Sequence, residues 1–137
     1  LDKFLRSKKL IKMSNKYYLF LDDVRHPDDV TWVTIPPHNW IIVRSYNEFV
    51  NFISKNGVPA YVCYDHDLSD IHYGHGLRGD SIPYDKYDEK TGYHCAKWLV
   101  DYCMKKGVKH PDYVVHSMNP VGSQNIISYV ESYNKSL

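Results

Sequence analysis

The sequence predicts a small α/β domain with three layers and a mainly parallel sheet of four to five strands. Short apolar runs at residues 17–21, 61–64 and 113–115 are typical of strands buried on both faces, as in a parallel sheet. Each run is followed at once by acidic, histidine or amide side chains. Ligands of open parallel sheets bind outside the carboxyl ends of the strands, so this pattern predicts a functional site at that edge.

The first part of the chain is predicted to contain two strands joined by an irregular crossover. The strands cover residues 17–24 and 40–44. Three prolines interrupt residues 25–39. Proline inside a helix removes a hydrogen bond and clashes with the preceding turn, so we expect no regular helix there.

A helix is predicted to follow the second strand. Ser45, with Glu48 three residues later, forms a capping box that is typical of a helix start, and Gly57 is expected to end the helix. A third strand is predicted at residues 60–64. The polar stretch at 69–90 is longer than an ordinary connection, and it is either a substrate-binding lid or a solvated insertion.

A second helix, a fourth strand and a third helix complete the predicted domain. The second helix covers residues 91–106, where apolar residues recur at helical spacing, and the fourth strand covers 113–116. Asn119 is expected to cap the last helix, with Pro120 at its first position.

The length and composition fit one globular domain. The chain has 137 residues, of which 43% are hydrophobic and 24% charged, and no apolar run is long enough to span a bilayer. We expect residues 13–137 to form a single domain that starts at Met13. Residues 1–12 are expected to be a tag or upstream extension, or else a short amphipathic helix of the natural protein.

The net positive charge of the chain comes from its first twelve residues. Residues 1–12 hold five basic residues and one acidic residue, so the remainder carries a net charge of −3 rather than +1. A mildly acidic domain is not expected to offer an extended nucleic-acid surface. The three cysteines, Cys63, Cys95 and Cys103, are expected to be buried, reduced thiols of a cytoplasmic protein.

Carboxylates at two strand ends predict a metal site. Asp22 and Asp23 follow the first strand, and Asp65 follows the third. Magnesium prefers oxygen ligands, so these three residues are the candidate ligands of Mg²⁺, with Asp67 as an alternative to Asp65 for the third carboxylate. Alternatively they orient nearby histidines, or Asp23 caps a turn or pairs with Arg25.

Histidines at the same edge predict acid–base chemistry. His66 and His116 end two strands, and a pair of imidazoles can serve as general acid and general base near neutral pH. Asp65 and His94, which lies in the first turn of the second helix, complete the candidate catalytic set; His94 could equally be exposed.

A third group of side chains is expected to hold a phosphate-bearing substrate. Arginine suits bidentate phosphate binding, and the start of the last helix offers backbone N–H groups and hydroxyls. The residues expected to bind substrate are Arg25, Arg44, Asp67, Ser117, Asn119 and Ser123. Gly122 lies inside the first turn of that helix, where capping alone does not explain a glycine.

Four short motifs in this order resemble a known family, the cyclic-phosphate processing receiver-like domains of bacteria and their phages. They are LFLDDVR at 19–25, DHDL at 65–68, TG at 91–92 and HSMNPVG at 116–122. The resemblance covers most of residues 16–133. It implies a flavodoxin-like fold related to response-regulator receivers, and the handling of cyclic or terminal phosphates, with RNA repair and phage–host conflict as settings.

The resemblance also gives the strand-end residues counterparts in true receivers. Asp22 and Asp23 match the acidic magnesium-binding pair, Asp65 the phosphate-accepting aspartate and Ser117 the switch hydroxyl. Receivers also need a lysine after the last strand, whereas the only lysine here after Lys109 is Lys135, in the last helix. The usual first helix is missing as well. The resemblance therefore implies catalysis rather than signalling.

Together these observations predict a hydrolase of the phosphodiesterase or cyclic-phosphate processing type, in the cytoplasm of a bacterium or phage host. Its substrate would be a phosphate-bearing small molecule or an RNA end. The alternatives are a non-catalytic degenerate receiver, a module that binds a nucleotide signal, and a protein-interaction domain whose 69–90 loop is the epitope.

Overall fold

The computed structural model describes residues 17–68 and 90–137. Two expectations from the sequence lie outside the described residues. They are the extension at 1–12 and the loop at 69–90, of which Lys90 alone is described.

The described residues form a parallel sheet of four strands, which confirms the predicted α/β class. The strands are β1 (Tyr18–Leu21), β2 (Trp40–Val43), β3 (Tyr61–Tyr64) and β4 (Asp112–Val115). Their order in the sheet is β2-β1-β3-β4, and every neighbouring pair is parallel. This is the order of the first four strands in flavodoxin-like sheets.

The strands end level with one another, and this register creates the functional edge. Leu21 pairs with both Val43 and Tyr64, and Tyr64 pairs with Val115. β1 is shorter than the predicted 17–24. The carboxylate of Asp22 accepts the backbone N–H groups of Val24 and Arg25, and this turns the chain out of the sheet.

Three helices follow the predicted start and stop signals. They are α1 (Tyr46–Asn56), α2 (Gly92–Lys106) and α3 (Pro120–Lys135). Ser45 accepts the N–H of Glu48 at the start of α1, and Gly57, with a φ of 88°, ends it. Among the described residues, no helix is long and apolar enough to cross a membrane.

The two faces of the sheet are covered differently. Side chains of β1 and β3 pack against the three helices on one face, where Leu19, Val62, Phe49, Leu99 and Ile126 form the centre of the core. The other face is covered by the crossover between β1 and β2, which among the described residues contains only one 3₁₀ turn, Pro27–Asp29. Its apolar side chains, such as Val30 and Ile35, therefore supply the third layer of the fold.

Candidate functional site

Three polar side chains form a buried row at the carboxyl edge of the sheet. Asp22, Asp65 and His116 are the first residues after β1, β3 and β4, and their backbone N–H groups continue the ladder of the sheet. Asp22 and His116 are fully buried, and Asp65 is 3% exposed. One side-chain atom of each lies within 4.8 Å of the others. The level register therefore brings together residues that are distant in sequence.

Asp22 is held as a carboxylate by four hydrogen-bond donors. Oδ1 accepts the N–H groups of Val24 and Arg25, at 2.9 and 2.8 Å. Oδ2 lies 2.8 Å from Nε2 of His116 and 3.5 Å from the guanidinium of Arg25. Burial opposes ionisation of Asp22, but the bonds with His116 and the two backbone N–H groups outweigh burial and hold its pKa below the ordinary value. Asp22 is therefore a fixed negative charge beneath the site.

His116 is locked on both of its ring nitrogens. Nε2 contacts Asp22, and Nδ1 lies 2.9 Å from the sulfur of Cys63. The ring stacks on Phe20 with centroids 4.8 Å apart, and the indole N–H of Trp32 donates to the carbonyl of His116 at 2.6 Å. Because the imidazole is fully buried and both ring nitrogens face protein groups, the acid–base role predicted for His116 stays a prediction.

Asp65 has the opposite electrostatic environment to Asp22. Its Oδ1 accepts the N–H of His66 at 2.8 Å, and its side chain faces a cleft. Burial, followed by the negative charge of Asp22, raises the pKa of Asp65 to about 7. The start of α2 packs against this residue, since a Cβ at Gly92 would overlap the carbonyl group of Asp65. The site thus pairs a charged carboxylate with one poised to exchange a proton near neutral pH.

His66 is oriented by residues from two different elements. Its Nδ1 lies 2.9 Å from the carboxylate of Asp67, and the side-chain amide of Asn119 lies 3.5 Å away. The ring rests on Gly122 in the first turn of α3, where a Cβ would lie 2.6 Å from Cδ2 of His66. This close approach is the reason for a glycine at a position that capping alone does not explain.

A cleft of about 620 Å³ opens above the buried row. Its walls come from the loops after β1, β3 and β4, as expected for an open parallel sheet. The cleft is lined by Asp23, Val24, Arg25, Asp65, Asp67, Ser117, Met118 and Asn119. It therefore combines carboxyl groups with an arginine, a hydroxyl and an amide.

A family model described as the cyclic-phosphate processing receiver domain matches residues 17–132. The chain belongs to this family. The match confirms the resemblance carried by the four sequence motifs, and it covers every described strand and almost all of the last helix. No curated protein and no solved structure gives a match to the chain.

In this receiver domain, Arg44 stabilises the loop after β1. One guanidinium nitrogen donates to the backbone carbonyls of Asp22 and Arg25, at 3.2 and 2.6 Å. Arg44 does not appear among the residues that line the cleft. Another guanidinium nitrogen of Arg44 lies 3.5 Å from Nδ1 of His26, and the phosphate-binding role predicted for Arg44 stays a prediction.

Two further residues of the predicted site form hydrogen bonds at the starts of helices. Nδ1 of His94 accepts the backbone N–H of Thr91 at 2.9 Å, which closes the first turn of α2. The hydroxyl of Ser123 donates to the carbonyl of Ser117 at 3.3 Å, beneath the cleft wall. The catalytic role of His94 and the substrate contact of Ser123 stay predictions.

The buried row does not fit Mg²⁺ in its present arrangement. A carboxylate has about four acceptor sites, and the four donors around Asp22 fill them. Magnesium prefers oxygen over imidazole ligands, and both nitrogens of His116 are engaged. For Asp22, Asp23 and Asp65 to bind Mg²⁺ as predicted, the hydrogen bonds that hold Asp22 would therefore have to break. The magnesium site stays an untested prediction.

Sequence reasoning missed the part played by Cys63, which was expected only to be buried. A signal was available in the alternation of side chains along strands. Phe20, Cys63 and Val114 are aligned across the sheet, and two residues after each of them come Asp22, Asp65 and His116. All six positions therefore share one face, which puts the thiol beside the imidazole.

Proposed function

We propose that this receiver domain hydrolyses the phosphodiester of a cyclic phosphate or nucleotide. The observation that carries the proposal is the position of Asp65, a carboxyl group poised near neutral pH, in a cleft that also holds Arg25. Two carboxyl groups whose surroundings drive their pKa values apart are typical of acid–base sites. Asp22 and Asp65 form such a pair at the sheet edge.

The reaction would be attack of water on phosphorus. The bond from water oxygen to phosphorus forms, the bond from phosphorus to the leaving ester oxygen breaks, and the product is a phosphomonoester with a free hydroxyl. Asp65 would supply the proton for the leaving oxygen, because its pKa of about 7 keeps much of it protonated at neutral pH. The fixed charge of Asp22 maintains this state.

His66 would take the proton from the attacking water. The carboxylate of Asp67 engages Nδ1, so proton exchange with a ligand falls to Nε2. Asp67 would then orient the ring of His66, and the absence of a side chain at Gly122 leaves space for that ring. In this scheme His116 acts through Asp22, whereas the sequence alone pairs His116 with His66 as acid and base.

Arg25, Ser117 and Asn119 would hold the phosphate. All three line the cleft and carry hydrogen-bond donors. Arg25 is held over the ring of Trp32 at 5.1 Å and near Asp22 at 3.5 Å, so its guanidinium is partly ordered before a ligand arrives. Preorganised charge of this kind favours the extra negative charge of a phosphoryl-transfer transition state.

The direct test is hydrolysis of cyclic nucleotides and of RNA ends that carry a 2′,3′-cyclic phosphate. We expect His66→Ala and Asp65→Asn to lower turnover by at least about a hundredfold, the usual contribution of a proton-transfer group. His38→Ala is the matched control, because His38 stacks on Tyr18 at the opposite end of β1. Undiminished turnover in both site variants would refute the assignment. Tight binding without turnover by the wild type would favour the nucleotide-binding module instead.

A further inference from the structure

The cleft at the sheet edge offers more space than a phosphate group occupies. Its volume of about 620 Å³ lies within the range of pockets that hold whole small-molecule ligands, roughly 300 to 1,000 Å³. Arg25 and Asn119, which are assigned to the phosphate, lie in the loops after β1 and β4. Each of these loops also brings one apolar side chain to the cleft, Val24 and Met118. Neither of the two has a part in the proposed chemistry.

Val24 and Met118 are among the most exposed large apolar side chains of the described residues. Val24 is 55% exposed and Met118 is 64% exposed. Single exposed apolar residues are common on protein surfaces, whereas a group of them beside a cleft is typical of a ligand site. The two residues are distant in sequence, and the level ends of the strands bring their loops to the same cleft. The fold therefore places two apolar side chains where a bound ligand would cover them.

Trp32 adds a fixed aromatic ring beside the same two loops. Its indole N–H donates to the carbonyl of His116, at the start of the loop after β4, with a distance of 2.6 Å. In the loop after β1, the guanidinium of Arg25 lies 5.1 Å from the centre of the Trp32 ring. Trp32 is nevertheless 37% exposed. Because the one polar group of the indole is already bonded, the exposed part of this side chain is apolar.

We propose that Val24, Trp32 and Met118 form an apolar rim that binds the nucleobase of the substrate, which makes the substrate class a nucleotide rather than the phosphate ester of a sugar or simple alcohol. The inference rests on the proposed function, in which Arg25 holds the phosphate. A nucleobase has two flat faces, and its stacking on an aromatic ring contributes strongly to affinity. The flexible thioether side chain of Met118 suits contact with such a ring. Arg25 joins the two parts of the site, since it contacts Trp32 and also lines the cleft.

Isothermal titration calorimetry of the full chain with adenosine 5′-monophosphate (AMP) and ribose 5-phosphate measures the contribution of the base. The two probes share the sugar and the phosphate and differ only in adenine. We expect the wild type to bind AMP at least about tenfold more tightly, as one stacked base predicts. Trp32→Ala should remove most of this preference, and Trp32→Phe, which keeps an aromatic ring, should restore it. The ratio of the two dissociation constants is compared, because a loosened Arg25 would weaken the binding of both probes.

Met118→Ala tests the rim without altering a packed residue. Since Met118 is exposed, its truncation should leave the fold intact. It should lower the preference for AMP roughly fourfold, which is the value of burying about one methylene group. Met104→Ala is the matched control, because Met104 is 58% exposed and lies near the end of α2, away from the cleft. This variant should keep the preference of the wild type.

Two results would overturn the proposal. One is equal affinity of the wild type for the two probes, including binding of neither. The other is an unchanged preference for AMP in both Trp32→Ala and Met118→Ala, and the second variant can be read even if the first fails to fold. Because both probes are phosphomonoesters, the measurement does not depend on phosphodiester hydrolysis. A preference for AMP without any hydrolysis would support the rim and refute the proposed function, whereas hydrolysis with equal affinities would do the reverse.

Discussion

Replacing Asp65 with asparagine is expected to stabilise the folded protein while removing the proposed general acid. Asp65 is buried beside the charged Asp22, and its pKa is raised from 3.8 to about 7. The folded protein therefore holds this proton more tightly than the unfolded chain does. As a result, the wild type loses stability as pH rises from about 4 to 7, and the loss is complete above that range. Asparagine has no proton to lose.

The size of the effect follows from the pKa difference. One pKa unit corresponds to about 1.4 kcal/mol, so ionised Asp65 costs the fold about 4 kcal/mol at pH 8. At pH 5 the unfolded carboxyl has already lost most of its proton, and the cost is about 1.5 kcal/mol. The stability advantage of Asp65→Asn should therefore grow by about 2.5 kcal/mol between pH 5 and pH 8.

Urea unfolding of the wild type and Asp65→Asn at pH 5 and pH 8 measures this difference. His110, which is also buried, titrates in an overlapping range but is present in both proteins, so its contribution cancels. Asp101→Asn, on the exposed side of α2, controls for the removal of a carboxylate that is not buried. An advantage of Asp65→Asn that is equal at the two pH values, or larger at pH 5, would refute the electrostatic reasoning.

Three further outcomes are expected. Gly122→Ala should displace the ring of His66 and lower turnover about a hundredfold, as measured by steady-state kinetics, because a misplacement near 1 Å can cost this much; wild-type kinetics would show that the ring tolerates the methyl group. The pKa of His110 is lowered by burial to about 4, so between pH 6.5 and 4 the wild type should lose about 3 kcal/mol of stability that His110→Gln keeps. Chelation of divalent cations should leave turnover unchanged, since the acceptor sites of Asp22 are filled; loss on chelation with recovery in Mg²⁺ would restore the predicted magnesium site.

Local chemistry explains why most of the fold could be predicted from the sequence. Ser45, Gly57 and Asn119 act within three or four residues of themselves, so their caps can be read from spacing, and all three cap their helices as predicted. The predicted capping box is only half formed, because Glu48 accepts the N–H of Arg44 rather than that of Ser45. The end of β1 could not be predicted, because the carboxylate of Asp22 competes for the backbone N–H groups that would continue the strand. The strand order was implied by the resemblance, since strand spacing alone does not give it.

The position of the candidate site could be predicted from the sequence, but the separate roles of its residues could not. Strand ends in a parallel sheet must meet at one edge, so Asp22, Asp65 and His116 could be expected there. Which of them is buried depends on how the crossover packs, and that depends on tertiary contacts such as the bond from Trp32 to the carbonyl of His116. Gly122 likewise has no local signal for its contact with His66.

Under the proposed function, the contrast between Asp22 and Asp65 distinguishes this domain from a signalling receiver. Phosphorylation of a receiver needs an ionised aspartate as the nucleophile, with a cation to compensate the new charge. Asp65 occupies the corresponding strand end, yet burial and the charge of Asp22 favour its protonated form up to about pH 7. The proposed function therefore uses this strand end to give a proton rather than to attack phosphorus. The bonds from His116 and the two backbone N–H groups keep the charge of Asp22 in place, and after burial this charge is the largest cause of the raised pKa of Asp65.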